Sequence, residues 1–275
     1  MHNADLYEQN NGVQKRDALA CLEKYAPDMK WKKKGNRIID IGCGDGTVTN
    51  MLKKYLPNDY KLLGVDISES MVNFAYDHHC NENTSFAVLD IEDDLPDSLK
   101  GKFNHVFSFY TLHWIQNQKK AFENIFNLLE QDGQCFMTFL ASNPIYDAFR
   151  ALSRRSKWSN LLLQEDVKKF VCPYHDLEEP DKEVTKMMKN IGFNKIDVVC
   201  KELIFTFDNL DDLRNHLRTI NPFKIPKHMY DDFLDDLIEI LQDIGANQID
   251  KSNKCVRIDY KLLIVYGHKP DIEMS

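Results

Sequence analysis

Asp40-Ile41-Gly42-Cys43-Gly44-Asp45-Gly46 places three glycines at alternate positions behind an acid. Glycine lets a backbone turn tightly and approach a ligand closely. The apolar run 37–41 reads as a buried strand, which sets this loop at a strand's C-terminal end. The spacing is G-x-G-x-G rather than G-x-G-x-x-G, and no Gly-Lys-[Ser/Thr] follows, which excludes an ATP-type phosphate loop. An acid beside the loop repels pyrophosphate and suits a cation. Asp66, twenty residues beyond Gly46, ends a second strand, where a carboxylate accepts from both hydroxyls of a ribose. Asp90 ends a third strand, placed to accept from an adenine amino group. A ligand with ribose, adenine and an ammonium but no phosphate is S-adenosylmethionine, and S-adenosylhomocysteine would be its product. The cofactor candidates are Asp40, Gly42, Cys43, Gly44, Asp66, Ile67, Asp90, Ile91 and Ser108.

Those residues need a scaffold that brings strand ends together. Strands are expected at 37–41, 62–66, 86–90, 106–109 and 135–140, and helices at 13–25, 47–56, 69–80 and 118–130. Alternation at such short intervals predicts an α/β fold with a doubly wound, mainly parallel sheet. After Leu140 the rhythm changes. Stretches 144–170 and 209–245 read as helical around strands near 196–207 and 256–267, giving seven strands with helices on both faces. One domain is expected over 1–275, its core at about 30–143 plus strands near 195–207 and 255–267. A helical substrate cap is expected at about 144–192 and 209–249. The stripes Leu161-Leu162-Leu163 and Phe233-Leu234-Leu237-Ile240-Leu241 are helix-packing faces first and a tunnel wall for a lipid second.

Composition narrows the class. In 275 residues, 43% apolar and 28% charged residues describe an ordinary globular chain. A net charge of −8 disfavours nucleic acid as a partner. No apolar run is long enough to span a membrane, and the first ten residues lack the apolar centre of a signal peptide. Seven scattered cysteines without C-x-x-C point to free thiols in a reducing compartment, hence a cytoplasmic protein. His78-His79-Cys80 reads as an exposed helix end, and no metal is expected.

Asp40-x-Gly42-x-Gly44-x-Gly46, Asp66 and Asp90 resemble the class I S-adenosylmethionine-dependent methyltransferases. More narrowly, Asn3-Ala4-Asp5-Leu6-Tyr7, Gln14-Lys15-Arg16-Asp17, the run Phe107-Ser108-Phe109-Tyr110-Thr111-Leu112-His113-Trp114 and Asn221-Pro222-Phe223 resemble the insect juvenile hormone acid methyltransferases. That similarity runs through nearly the whole chain. It implies a Rossmann-like fold and methylation of a long apolar acid, farnesoic acid or juvenile hormone acid, with this isoprenoid acid as the small-molecule partner. It also gives Asn221-Pro222-Phe223, otherwise a turn, a place in substrate binding. The substrate candidates are Gln14, Tyr110, Trp114 and Phe223, and a homodimer is the assembly kept open.

Acid–base chemistry is compatible with that substrate. A carboxylic acid of pKa about 4 is ionised at neutral pH and needs no general base. It needs donors that aim one oxygen at the methyl group, and Gln14, His113 and Trp114 all carry N–H groups without negative charge. They are the catalytic candidates. Signatures of other acceptors are missing: Ser108-Phe109-Tyr110 stands where amino-group methylases carry Asn/Asp-Pro-Pro-aromatic, and Cys172-Pro173 reverses the Pro-Cys of cytosine-C5 enzymes. The alternatives are a small-polar-acid methyltransferase of the trans-aconitate type and a cofactor-binding regulator without transfer activity.

Overall fold

A computed structural model describes residues 4–245, 247–249 and 255–271. Along the chain run α1 (Ala4–Asn10), α2 (Gly12–Tyr25), β1 (Asn36–Ile41), α3 (Thr47–Leu52), β2 (Tyr60–Asp66), α4 (Glu69–His79), β3 (Thr84–Val88), β4 (Phe103–Phe109) and α5 (Gln118–Leu128). Then follow β5 (Leu129–Ser142), α6 (Pro144–Leu152), α7 (Gln164–Lys168), α8 (Pro180–Ile191), β6 (Asn194–Phe207), α9 (Leu210–Ile220), α10 (Tyr230–Asp243), β7 (Asn247–Ile249) and β8 (Val256–His268).

Seven strands form one path in the order β3-β2-β1-β4-β5-β8-β6, and β7 pairs with β8 off that path. Strands β1 to β5 are parallel, whereas β8 runs antiparallel to both β5 and β6. The central strands are apolar on both faces: Ile38, Ile39, Val106 and Phe107 of β1 and β4 are almost completely buried, as a parallel sheet covered on two sides requires. Strand order reverses between β1 and β4. Right-handed crossovers then send α3 and α4 to one face and α5 to the other, leaving a crevice beyond the C-terminal ends of β1 and β4.

Local chemistry sets several helix starts. Asn117, Asn143 and Asn209 accept from the backbone N–H groups of Lys120, Ile145 and Asp212 at 3.2, 3.0 and 2.9 Å, capping α5, α6 and α9. The helix expected over 144–170 is interrupted. It ends at Leu152, turns through Trp158, and resumes only as α7. Trp158 is fully buried, its indole N–H donates to Asp236 at 2.7 Å and its ring meets Phe233 edge-on at 5.7 Å, so tertiary contacts with α10 hold this irregular segment. Helix α8, inside the 144–192 stretch, packs on β6 and β8 and so covers the sheet. The helical stretch carried to 249 closes at Asp243, and Asn247–Ile249 is a strand. Strand β3 stops at Val88, which leaves Asp90 in the loop beyond it. Asn3 and the outer ends of the 1–275 span lie outside the described residues.

Candidate active site

The crevice holds a cavity of about 500 Å³ bounded by the glycine loop, the ends of β2 and β4, and the loop after β3. Gly42, Gly44 and Gly46 have φ of 71°, 54° and 80°, the left-handed region that favours glycine. At Gly42 the requirement is doubled, because a Cβ would overlap the side chain of Thr111. Thr111 Oγ1 donates instead to the Gly42 carbonyl at 3.1 Å and so fastens the loop to the end of β4.

Four acids surround this loop. Asp66 takes the Gly44 N–H on Oδ2 at 3.0 Å and the Ser68 N–H on Oδ1 at 2.9 Å. Asp45 accepts from Thr47 N–H, Thr47 Oγ1 and Asn11 Nδ2 at 3.0, 2.8 and 3.2 Å. Asp90 accepts the Glu92 N–H at 2.8 Å. Asp40 is buried, and only its Oδ2 is partnered, by Thr49 Oγ1 at 2.6 Å; Oδ1 has no hydrogen-bond partner. Burial raises its pKa to about 7 and also raises those of Asp45 and Asp66. Among the described residues no Lys or Arg lines the cavity. An orphaned carboxylate oxygen in an acid-ringed cleft fits a cationic ligand such as the sulfonium and ammonium of S-adenosylmethionine. Among the described residues no His/Cys/Asp/Glu group could hold a metal ion.

A second cavity, of only about 30 Å³, extends from the first and shares Tyr7, Gln14, Tyr110, Trp114 and Ile220 with it. Its other walls are mainly apolar, from β5, α6 and the 3₁₀ turn Leu112–Trp114. Buried polar atoms without partners gather here: Gln14 Oε1, His113 Nδ1 and the Tyr146 hydroxyl. Burial alone lowers the His113 pKa to about 3, and burial is the larger cause that lowers His216 to about 4, so both imidazoles are neutral at pH 7.

Most of the sequence candidates meet here. Gln14, Asp40, Gly42, Cys43, Gly44, Asp66, Ile67, Asp90, Ile91, Tyr110 and Trp114 all line the larger cavity. Cys43 is buried among the acids, which pushes its thiol well above the ordinary range and makes it a wall rather than a nucleophile. Three candidates sit elsewhere. His113 faces the second cavity only. Ser108 is fully buried and donates to the Ile41 carbonyl at 2.9 Å, tying β4 to β1 below the cavity floor. Phe223 lines neither cavity; its ring stands edge-on to Phe149 and Phe170, each a wall residue, at 4.9 and 5.4 Å. Sequence reasoning missed Tyr7, whose ring lies over Gly44 from α1, and Thr111. The seven residues of α1 include no buried side chain to give it an apolar pattern, but Thr111 could have been found from its place just beyond a strand end.

A family model described as a methyltransferase domain matches residues 32–192. The juvenile hormone acid O-methyltransferase of Bombyx mori is 50% identical over 276 residues, covering 98% of each chain. The chain belongs to the juvenile hormone acid O-methyltransferase family. A second member of the family, from Drosophila melanogaster, is 36% identical, over 98% of this chain and 93% of that one. The fold is that of class I methyltransferases: the YcgJ protein of Bacillus subtilis superposes with a TM-score of 0.62 over 92% of this chain and 99% of its own, at 16% identity.

Proposed function

We propose that the protein transfers a methyl group from S-adenosylmethionine to the carboxylate of a long apolar acid, juvenile hormone acid or farnesoic acid first. One observation carries the substrate reading: the recess of about 30 Å³ beside the acid-ringed cleft is walled by apolar side chains and neutral donors and, among the described residues, has no Lys, Arg or protonated His. It is large enough for a carboxyl group, with the chain of the acid lying in the main cavity. A single carboxylate can be held there by hydrogen bonds alone. A tricarboxylate of the trans-aconitate type would bring charges that nothing in the compartment neutralises.

The cofactor would be held by Asp66 on its ribose, by the loop Gly42–Gly44 and Asp40 around its charged end, and by Asp90, Ile67 and Ile91 around its base. When bound, it supplies an electrophilic methyl group on a sulfonium. Gln14 and Trp114 stand where the two cavities meet and offer an amide and an indole N–H to orient the acid. His113 adds a ring N–H in its neutral form. The apolar walls exclude water from the oxygen that reacts. Since the acid is already ionised, no side chain has to remove a proton.

Labelled cofactor with a panel of acids tests this directly. Farnesoic or juvenile hormone acid should accept label while citrate-like acids and acetate remain unlabelled; label in a tricarboxylate alone would reject the reading. Asp66→Ala should weaken cofactor binding by at least about tenfold, since charge-assisted hydrogen bonds contribute roughly 1.5–3 kcal/mol each. Unchanged affinity in calorimetry would remove Asp66 from the cofactor site.

A further inference from the structure

Asp17 lies one helical turn beyond Gln14 on α2, is 4% exposed and lines neither cavity. Its Oδ2 accepts the hydroxyls of Tyr110 and Tyr260, both at 2.5 Å. Its Oδ1 accepts Arg16 Nε and Nη2 at 2.9 and 2.8 Å. Arg16 also donates to the Tyr260 hydroxyl at 2.5 Å and to the Ile204 carbonyl at 2.8 Å, and its guanidinium lies 4.7 Å over Phe205. One buried carboxylate thus joins α2, the end of β4, β6 and β8.

Arg16 alone would fasten α2 to the sheet. The bond to Tyr110 does something else. Tyr110 has φ of 57°, a left-handed conformation that a bulky aromatic residue keeps only when its surroundings impose it. Its ring lines both cavities, and its backbone leads directly into the turn that carries His113 and Trp114. Positions three apart on a helix share a face, so the same carboxylate that holds Tyr110 also sets the rotation and depth of Gln14.

We propose that Asp17 is a positioning residue: through Tyr110 and α2 it fixes the relative placement of Gln14 and the 110–114 turn at the junction of the two cavities. This rests on the reading of that junction as the place of methyl transfer. A corollary concerns Tyr110 itself. Its proton is directed to Asp17, so it meets a substrate with its ring and has no donor to offer.

The full chain with Asp17→Asn, with and without Gln14→Ala, is assayed with S-adenosylmethionine and farnesoic acid. Asp17→Asn should lower kcat by at least about tenfold, leave calorimetric cofactor affinity within about twofold, and speed amide exchange over 110–114. The double variant should be no more than about threefold slower than the slower single variant, because both act through one group. Multiplicative losses, a parallel loss of cofactor affinity, or unchanged rate and exchange would each overturn the proposal. If Asp17→Asn does not fold, Tyr110→Phe keeps the ring, removes only the tether and carries the same readouts. Wild-type protein inert towards every acid rejects the substrate reading, while amide exchange over 110–114 still decides the positioning role.

Discussion

Asp40 meets the protein with one oxygen and leaves the other buried without a partner, so in the proposed cofactor site its proton becomes the residue-scale handle on binding. With a pKa raised to about 7 by burial, it is largely protonated in the free protein below that pH. A cation entering the cleft favours the carboxylate and expels the proton. Calorimetry of S-adenosylmethionine binding in two buffers of different ionisation heat should therefore show proton release near pH 6.5, little release near pH 8.5, and much less in Asp40→Asn. A heat independent of buffer at pH 6.5 would show that no bound charge faces Asp40. His113 carries the second residue-scale expectation. Burial lowers its pKa to about 3, so kcat measured with S-adenosylmethionine and acid both saturating should lack a limb near 6.5, and His113→Gln, which keeps a donor, should retain much more activity than His113→Ala. Equal losses in both variants, together with a rate falling below pH 6.5, would mean general-base catalysis of another acceptor. The glycines and acids were legible in the sequence because their chemistry is local to three strand ends. Ser108 and Phe223 line neither cavity, because a position beside a site does not reveal which way a side chain points.

At the scale of elements, the walls of the proposed acceptor recess come from the end of β5, from α6 and from Ile220 at the end of α9. Helices α6 and α9 both pack against α10, and Arg155 of the irregular segment pairs with Glu239 at 2.9 Å. If this layer encloses an apolar chain, each methylene buried should add up to about 0.8 kcal/mol, or roughly fourfold in kcat/KM. A homologous series of straight-chain and isoprenoid acids should climb accordingly until the compartment is full. Equal kcat/KM for short and long acids would reject an apolar enclosure. Strands and alternating helices up to Leu140 were readable because burial on both faces imposes apolar runs. The irregular segment after Leu152 was not, because Trp158 and its contacts with Asp236 and Phe233 on α10 hold it, and those lie about eighty positions away in the chain. Helix α1 escaped notice for a related reason. Its seven residues bury no side chain fully, and it rests on α9 and α4, so little apolar pattern marks it.

The whole molecule responds to pH through groups that oppose one another. Burial lowers His105 and His216 to about 4 and His113 to about 3, so each is neutral in the folded state where the unfolded chain, titrating near 6.5, is protonated. Their stability contribution is complete above pH 6.5 and is lost as pH falls towards the folded values. Asp40 works the other way: its folded pKa of about 7 lies above the unfolded 3.8, so its contribution is complete below 3.8 and is lost as pH rises through 7. Between about pH 4 and 6.5 the unfolded state thus holds more protons on these histidines and on His79, which burial also lowers. The folded state holds more on Asp40, Asp45 and Asp66, so the imidazoles pull stability down on acidification and the acids oppose them. Denaturant unfolding from pH 8 to 4 measures the resulting slope. Replacing His105, His113 and His216 by Gln should shift the slope by up to about three protons towards stabilisation on acidification, and Asp40→Asn should shift it by up to about one proton the other way. A triple-histidine variant whose slope between pH 6.5 and 5 matches the wild type would mean that these imidazoles are protonated in the folded state, and the proposed neutral acceptor recess would lose its basis.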